Sequence, residues 1–256
     1  MPGDPPCWMH LLFEPMTTTV PADLDRYLAE HDRRIHDELF AFLRIPSVSA
    51  RSEHKDDMRR AAEFLRENMQ RIGLAATVEE TGGHPVVIGE WRKAGAGAPT
   101  LLVYGHYDVQ PAEPLDEWTS PPFEPTLRGG NIYCRGSVDD KGQLFLHLKA
   151  IEAHLATRGR LPVNVIVLAE GEEEVGSENL DRFIEANRER LKCDGVIISD
   201  SSMFAPGVPT LLSSLRGLSY FQIDVQGAAH DLHSGSYGGA VPNPAVMLAA
   251  AVRNVM

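Results

Sequence analysis

Leu24, Leu28, Ile35, Leu39 and Leu43 recur near helical spacing, which predicts one amphipathic helix over residues 23–45. The IPSVS segment (45–49) stops it, because Pro46 disfavours helix at the residue before it. A second helix is predicted over roughly 55–72, with Met58, Leu65, Met69 and Ile72 on one side and Gly73 as its C-terminal cap. Short β-rich pieces follow at 74–80, 85–91 and 100–104, with a turn or loop at 93–99. Residues 110–130, rich in proline, acid and glycine, are expected to wander over the surface. Leu144, Leu148, Ile151 and Leu155 mark a helix over about 141–157. A buried strand at 163–169, a helix at 178–191 and a strand at 195–199 complete the series. Strands that alternate with helices, several of them almost continuously apolar, predict an α/β fold with a mostly parallel sheet flanked by helices. The texture changes after about residue 212. Residues 218–226 (LSYFQIDVQ) alternate like a half-exposed strand, and a glycine-rich loop and an alanine-rich helix (about 243–255) follow. The expected division is a disordered extension over 1–21, a large domain over 22–212 and the start of a smaller α+β domain over 213–256.

Composition narrows the partners. The 256 residues are 43% hydrophobic, enough for a sizeable core, and the formal charge of −12 repels phosphate backbones, so no nucleic acid is expected. The longest apolar runs, such as LLVY (101–104) and VIVLA (165–169), are far too short for a bilayer, so no membrane partner is expected either. Cys7, Cys134 and Cys193 are odd in number and show no CxxC spacing, which argues against a disulfide scaffold or a zinc knuckle and for reduced thiols in the cytoplasm. No Lys or Arg precedes Arg26, and His10 and Glu14–Pro15 interrupt the apolar stretch near the N-terminus, unlike a secretory signal; Met16 is a candidate start.

Four acidic or histidine clusters follow predicted strands, where open α/β sheets bind their ligands. His106-Tyr107-Asp108 comes first; a carboxylate at i+2 can fix the imidazole tautomer while the other ring nitrogen takes a metal. Asp139 and Asp140 lie directly before a helix, where capping is the plainer explanation. Residues 170–178 carry five carboxylates in nine positions, either a solvated acidic loop or a site for cations. There, one of two adjacent glutamates can bind metal while its neighbour acts as a general base. Asp200 ends the last strand. A further cluster, Asp231-Leu232-His233-Ser234-Gly235, lies beyond the change in texture, and no GxSxG or Walker motif occurs.

Together the strings GHYDVQPAE (105–113), YCRGSVDDKGQ (133–143), EGEEEVGSENL (170–180), ISD (198–200) and DLHSGSYGG (231–239) carry a resemblance. The sequence resembles the dinuclear zinc metallopeptidase family of carnosine-type dipeptidases, carboxypeptidase G, aminoacylases, acetylornithine deacetylase and succinyl-diaminopimelate desuccinylase, and is most similar to the carnosine-dipeptidase branch. The resemblance covers about residues 22–256. It implies a hydrolase of peptide bonds in dipeptides, with two divalent ions, zinc foremost and manganese or cobalt as alternatives. It implies a small peptide substrate and a homodimer at full length.

Residue by residue, it implies His106 and Asp200 as ligands of one metal, Asp139 as the bridge with a cis bond to Asp140, and Glu174 as a ligand of the second metal. Glu173 is implied as general base and Asp108 as the residue that orients His106. His233, from a smaller lid domain, is implied as the oxyanion donor, usually across a dimer. Two departures stand out. The family usually has glycine where Cys134 stands, leaving an extra soft ligand or a tolerated substitution. Its members also run on for roughly half this length again and supply a last histidine to the second metal, so one tight zinc and little turnover are expected of this chain alone. The rival readings are an N-acyl-amino-acid deacylase of the same family, a catalytically incomplete metal-binding fragment, and a nucleotide-binding α/β domain, which the missing GxGxxG disfavours.

Overall fold

The computed structural model describes residues 20–205, 207–208 and 210–255. Most of the extension expected over 1–21 lies outside the described residues. The chain divides into two compact units between Met203 and Phe204.

In the first unit, the single helix expected over 23–45 is two: α1 (Ala22–Glu30) and α2 (Asp32–Leu43). The break is at His31, whose backbone leaves the helical region (φ −109°, ψ 7°). Its ring stacks on Tyr27 with centroids 4.1 Å apart, and its Nδ1 lies 2.8 Å from the Tyr27 carbonyl. The ring nitrogen thus shares the Tyr27 carbonyl with the His31 backbone N–H at 3.1 Å, a local side-chain contact that hydrophobic spacing does not encode. Helix α3 (Lys55–Arg71) ends before Gly73, whose φ of +99° closes the turn.

Strands β1 (Ala75–Glu79), β2 (Val86–Trp91) and β3 (Thr100–His106) follow. The surface stretch after them ends in a small hairpin of β4 (Thr126–Arg128) and β5 (Asn131–Tyr133), turned by Gly129 and Gly130, both at positive φ. Then come α4 (Lys141–Arg158), β6 (Asn164–Glu170), α5 (Leu180–Ala186) and β7 (Gly195–Ile198). Helix α5 is shorter than the 178–191 expected. Asn187 follows it, and its side-chain amide donates to the Phe183 carbonyl at 2.9 Å, competing with the ladder.

The main sheet has the order β1-β2-β6-β3-β7. β6, β3 and β7 pair in parallel, while β2 runs antiparallel to both β1 and β6. Four strands therefore share one direction, and β2 alone opposes them. The alternation along β6 faces two layers of core. Val165, Val167 and Ala169 pack with Met58, Leu65 and Met69 of α3 and Leu144 and Leu148 of α4. Ile166 and Leu168 pack with Val86, Ile88 and Leu102 and with Phe183 and Leu191 on the opposite side. Burial on both faces explains why β6 reads as a continuous apolar run. The register sets His106 beside Glu170 and Tyr104 beside Ile198, so the residues that follow β3, β6 and β7 emerge along one edge of the sheet.

In the second unit, α6 (Ser234–Tyr237) and α7 (Pro244–Val255) form. Asn243 caps α7, its Oδ1 accepting from the Ala245 N–H at 2.9 Å, with proline at the first helical position. The strand expected over 218–226 is not formed. Leu218, Tyr220 and Phe221 are exposed, and no strand pairs with the segment among the described residues. Alternation supplies a face for a strand but not the neighbouring edge that a ladder needs. No helix of the described residues is long and apolar enough to cross a membrane.

Candidate metal centre

His106 is the last residue of β3 and is completely buried. Its Nδ1 lies 3.0 Å from the Asp108 carbonyl and 3.3 Å from Asp108 Oδ1. Both partners are acceptors, so Nδ1 carries a proton, and Nε2 is the nitrogen whose lone pair a metal would take in place of a proton. Nε2 is buried and makes no hydrogen bond. It faces Asp139 Oδ1 at 3.1 Å, Asp200 Oδ2 at 3.6 Å and Glu173 Oε2 at 3.9 Å. Ligand atoms of His106, Glu173 and Asp200 all lie within 4.8 Å of one another, as do those of His106, Asp139 and Glu174.

The carboxylates come from three separate segments of the chain. Asp139 and Asp140 precede α4, and the peptide bond between them is cis, as the resemblance implied. Asp140 does not cap α4 with its side chain; its Oδ2 instead accepts from the His106 backbone N–H at 3.1 Å. A Cβ at Gly105 would come within 2.6 Å of that oxygen, which explains the glycine. Glu173 and Glu174 share a single 3₁₀ turn after β6, and Asp200 follows β7.

The electrostatics of the cluster call for positive charge. Burial opposes a charge on His106, but the Asp108 carboxylate beside Nδ1 and the other nearby acids outweigh burial and lift the imidazole to about 10. Burial raises Asp140 to about 7 against the His106 N–H bond. Burial, with the surrounding acids, also raises Glu173 and Glu174 despite the pull of His106 and, for Glu174, the Gln110 hydrogen bond. An unpartnered buried imidazole nitrogen among crowded carboxylates fits a divalent cation, and this nitrogen–oxygen donor set suits zinc or manganese.

Six of the residues singled out in the sequence thus converge: His106, Asp108, Asp139, Glu173, Glu174 and Asp200. His233 belongs to the second unit. There it is exposed and precedes α6, its Nδ1 accepting from the Gly235 N–H at 3.1 Å. Cys134 is a packed thiol. Its Sγ donates to the Pro122 carbonyl at 3.1 Å, and burial pushes it up to about 11, far from the thiolate a metal needs.

Other neighbours were given no role of their own by the sequence. Ser49 Oγ donates to Asp108 Oδ2 at 2.6 Å, and the Glu174 N–H donates to the same oxygen at 3.1 Å. Gln110 Nε2 donates to Glu174 Oε2 at 2.7 Å. The buried Glu170 accepts from Tyr104 and, at 2.9 Å, from Ser177, anchoring the acidic loop. Gln110 lies within the GHYDVQPAE string, whereas Ser49 lies in a segment legible only as a helix stop.

Known proteins place this geometry in context. The chain is 37% identical over 219 residues to the Cys-Gly metallodipeptidase dug1 of Schizosaccharomyces pombe, covering 80% of this chain and 46% of that protein. It is 37% identical over 153 residues to the human Beta-Ala-His dipeptidase, covering 59% of this chain and 30% of that one. The structure of human carnosine dipeptidase 1 superposes with a TM-score of 0.67 at 27% identity, over 91% of this chain and 52% of that chain. An M20 family metallo-carboxypeptidase from Sulfolobus solfataricus superposes with the same TM-score at 38% identity, over 84% of this chain and 48% of that chain. The chain spans about half the length of the curated dipeptidase dug1. Residues 102–254, more than half of the chain and all of the strand ends that build the metal cluster, match peptidase family M20/M25/M40, and the chain belongs to that family.

Proposed function

We propose that this chain carries the metal-binding residues of a metal-dependent dipeptidase that uses two divalent cations, zinc foremost. The observation that carries the reading is His106 Nε2, buried, without a hydrogen bond, and facing three carboxylates within 3.9 Å. His106, Asp139 and Asp200 would hold one ion, and Asp139 and Glu174 would contribute to the other. Bound there, the ions would supply Lewis acidity, which acidifies water and polarises the scissile carbonyl.

The remaining roles fall to side chains. Glu173, its carboxyl raised by burial and by Glu174, Asp200 and Asp108, takes a proton from the attacking water. It returns that proton to the amine nitrogen as the C–N bond breaks. Asp108 keeps the proton of His106 on Nδ1, leaving Nε2 as the ligand atom. His233 is assigned to the carbonyl oxygen on its DLHSGSYGG motif, donating as negative charge develops there, in a homodimer. The names of the relatives support dipeptides of the Cys-Gly and β-Ala-His kind as the substrate class.

Two measurements test the reading. Calorimetric titration should show zinc uptake by the wild-type chain and its loss in His106→Ala. Hydrolysis of Cys-Gly and β-Ala-His by a full-length version of the protein should fall to background with a chelator and return with zinc or manganese. An unchanged zinc isotherm in His106→Ala, or chelator-resistant hydrolysis, refutes it.

A further inference from the structure

We propose that Ser49 is a positioning residue of the metal centre: its hydroxyl sets the Asp108 carboxylate and, through it, the imidazole of His106. The inference rests on the metal-centre reading above and extends it by one hydrogen bond outward.

Asp108 is completely buried, and its two oxygens do different work. Oδ2 accepts from Ser49 Oγ at 2.6 Å and from the Glu174 N–H at 3.1 Å. Oδ1 makes no hydrogen bond of its own and lies 3.3 Å from His106 Nδ1. Two donors on one oxygen pin the carboxylate plane and reserve the other oxygen for the ring. Without Ser49 a single backbone donor remains on Oδ2, and the group is free to turn about its χ2.

Ser49 is itself held in place, as a positioning group must be. Its carbonyl lies 3.1 Å from His84 Nε2. Ser47, two residues earlier, donates from Oγ to the Tyr107 carbonyl at 2.6 Å and accepts from the Val109 N–H at 2.9 Å. The buried Lys141 donates to the Ile45 carbonyl at 2.6 Å and to the Phe42 carbonyl at 3.2 Å. The segment 45–49 is therefore tied both to the residues around Asp108 and to the start of α4 beside Asp139 and Asp140. Such attachments give the Ser49 hydroxyl a fixed position.

The test compares wild type with Ser49→Ala, Ser49→Thr and Ser49→Val, using zinc affinity by competition calorimetry and the visible absorption of the cobalt-loaded proteins. Thr and Val share a shape and differ in the hydroxyl, so this pair separates hydrogen bonding from packing even where the Ala variant folds poorly. Loss of an outer partner of a metal ligand costs about 10–100-fold in affinity. Ser49 acts through Asp108, so the low end is expected: Ala and Val bind zinc about tenfold more weakly with altered cobalt bands, and Thr matches wild type. Wild-type affinity in Ser49→Val, or equal loss in Thr and Val, overturns the proposal and leaves the metal centre standing. No zinc uptake by wild type removes the metal centre and this inference with it.

Discussion

Lys149→Met is expected to destabilise the fold by about 3 kcal/mol without touching the metal centre. Lys149 is almost fully buried on α4, its Nζ 2.6 Å from Glu38, 2.7 Å from Glu152 and 3.2 Å from Asn68, above the Phe145 ring. It thereby joins α4 to α2 and α3. Methionine keeps most of the volume and removes the cation. Breaking a buried pair costs about 3–5 kcal/mol because a desolvated charge is left behind. The low end applies here, since Arg34 and Arg71 remain on Glu38 at 2.6 and 2.8 Å and Tyr27 remains on Glu152 at 3.0 Å. For a chain of this size that corresponds to a fall in Tm of roughly 6–12 °C.

The pH dependence gives a second check. Burial alone would raise Glu38, but Lys149, Arg34 and Arg71 outweigh it and hold its carboxyl at about 2, below the ordinary 4.5. A carboxyl depressed in the folded state adds stability that is fully present above its unfolded value and is lost as pH falls through its folded value. The wild type should therefore lose this contribution between about 4.5 and 2. In Lys149→Met the depression shrinks, so the gap between the two proteins should narrow as pH falls through that window. Urea unfolding at pH 7 and at steps down to pH 3 measures both effects. A loss below about 1 kcal/mol at pH 7, the scale of an exposed pair, or a gap that ignores pH, would refute the buried-network argument.

In a full-length version of the protein, Glu173→Gln should retain zinc while losing about 10²–10⁴-fold in hydrolysis, whereas Glu174→Gln should weaken metal uptake; equal metal loss in both contradicts the division of labour. Gly105→Ala should weaken zinc binding and cost about 1–3 kcal/mol, because the added methyl meets Asp140 Oδ2 at 2.6 Å and Leu144 Cδ1 at 3.1 Å; unfolding curves and zinc titration that match wild type would count against this packing. Zinc at a hundred times its Kd should stabilise the wild type by about 2.7 kcal/mol, and a thermal shift of the same size in His106→Ala would place the ion elsewhere.

The fold was readable where burial is periodic. Helices α3 and α4 kept their predicted extents to within a residue or two because their apolar positions face one sheet. The break at His31 was not readable, since it depends on a ring stacking four residues back and on one carbonyl contact. Residues 218–226 read as a strand because alternation is local, whereas pairing is not. At the candidate site, His106, the glutamate pair and Asp200 stood out because each closes or follows an apolar strand, and Asp139 because it lies directly before a predicted helix. Ser49 did not, because only folding brings it to Asp108, and a serine in a segment that stops a helix is ordinary turn chemistry.

The strand order has a consequence for how the protein is made. β3 carries His106, yet both of its sheet neighbours, β6 and β7, come later in the chain. During synthesis the apolar LLVY run must therefore wait without an edge to join, and Asp200 leaves the ribosome about 90 residues after His106, roughly 5–20 s behind it. Throughout that interval the nascent chain offers an imidazole and loose carboxylates but no enclosed cage. Capture of the ion must wait until Asp200 has emerged, and until then the apolar run of β3 stays unpaired on at least one side and open to other chains.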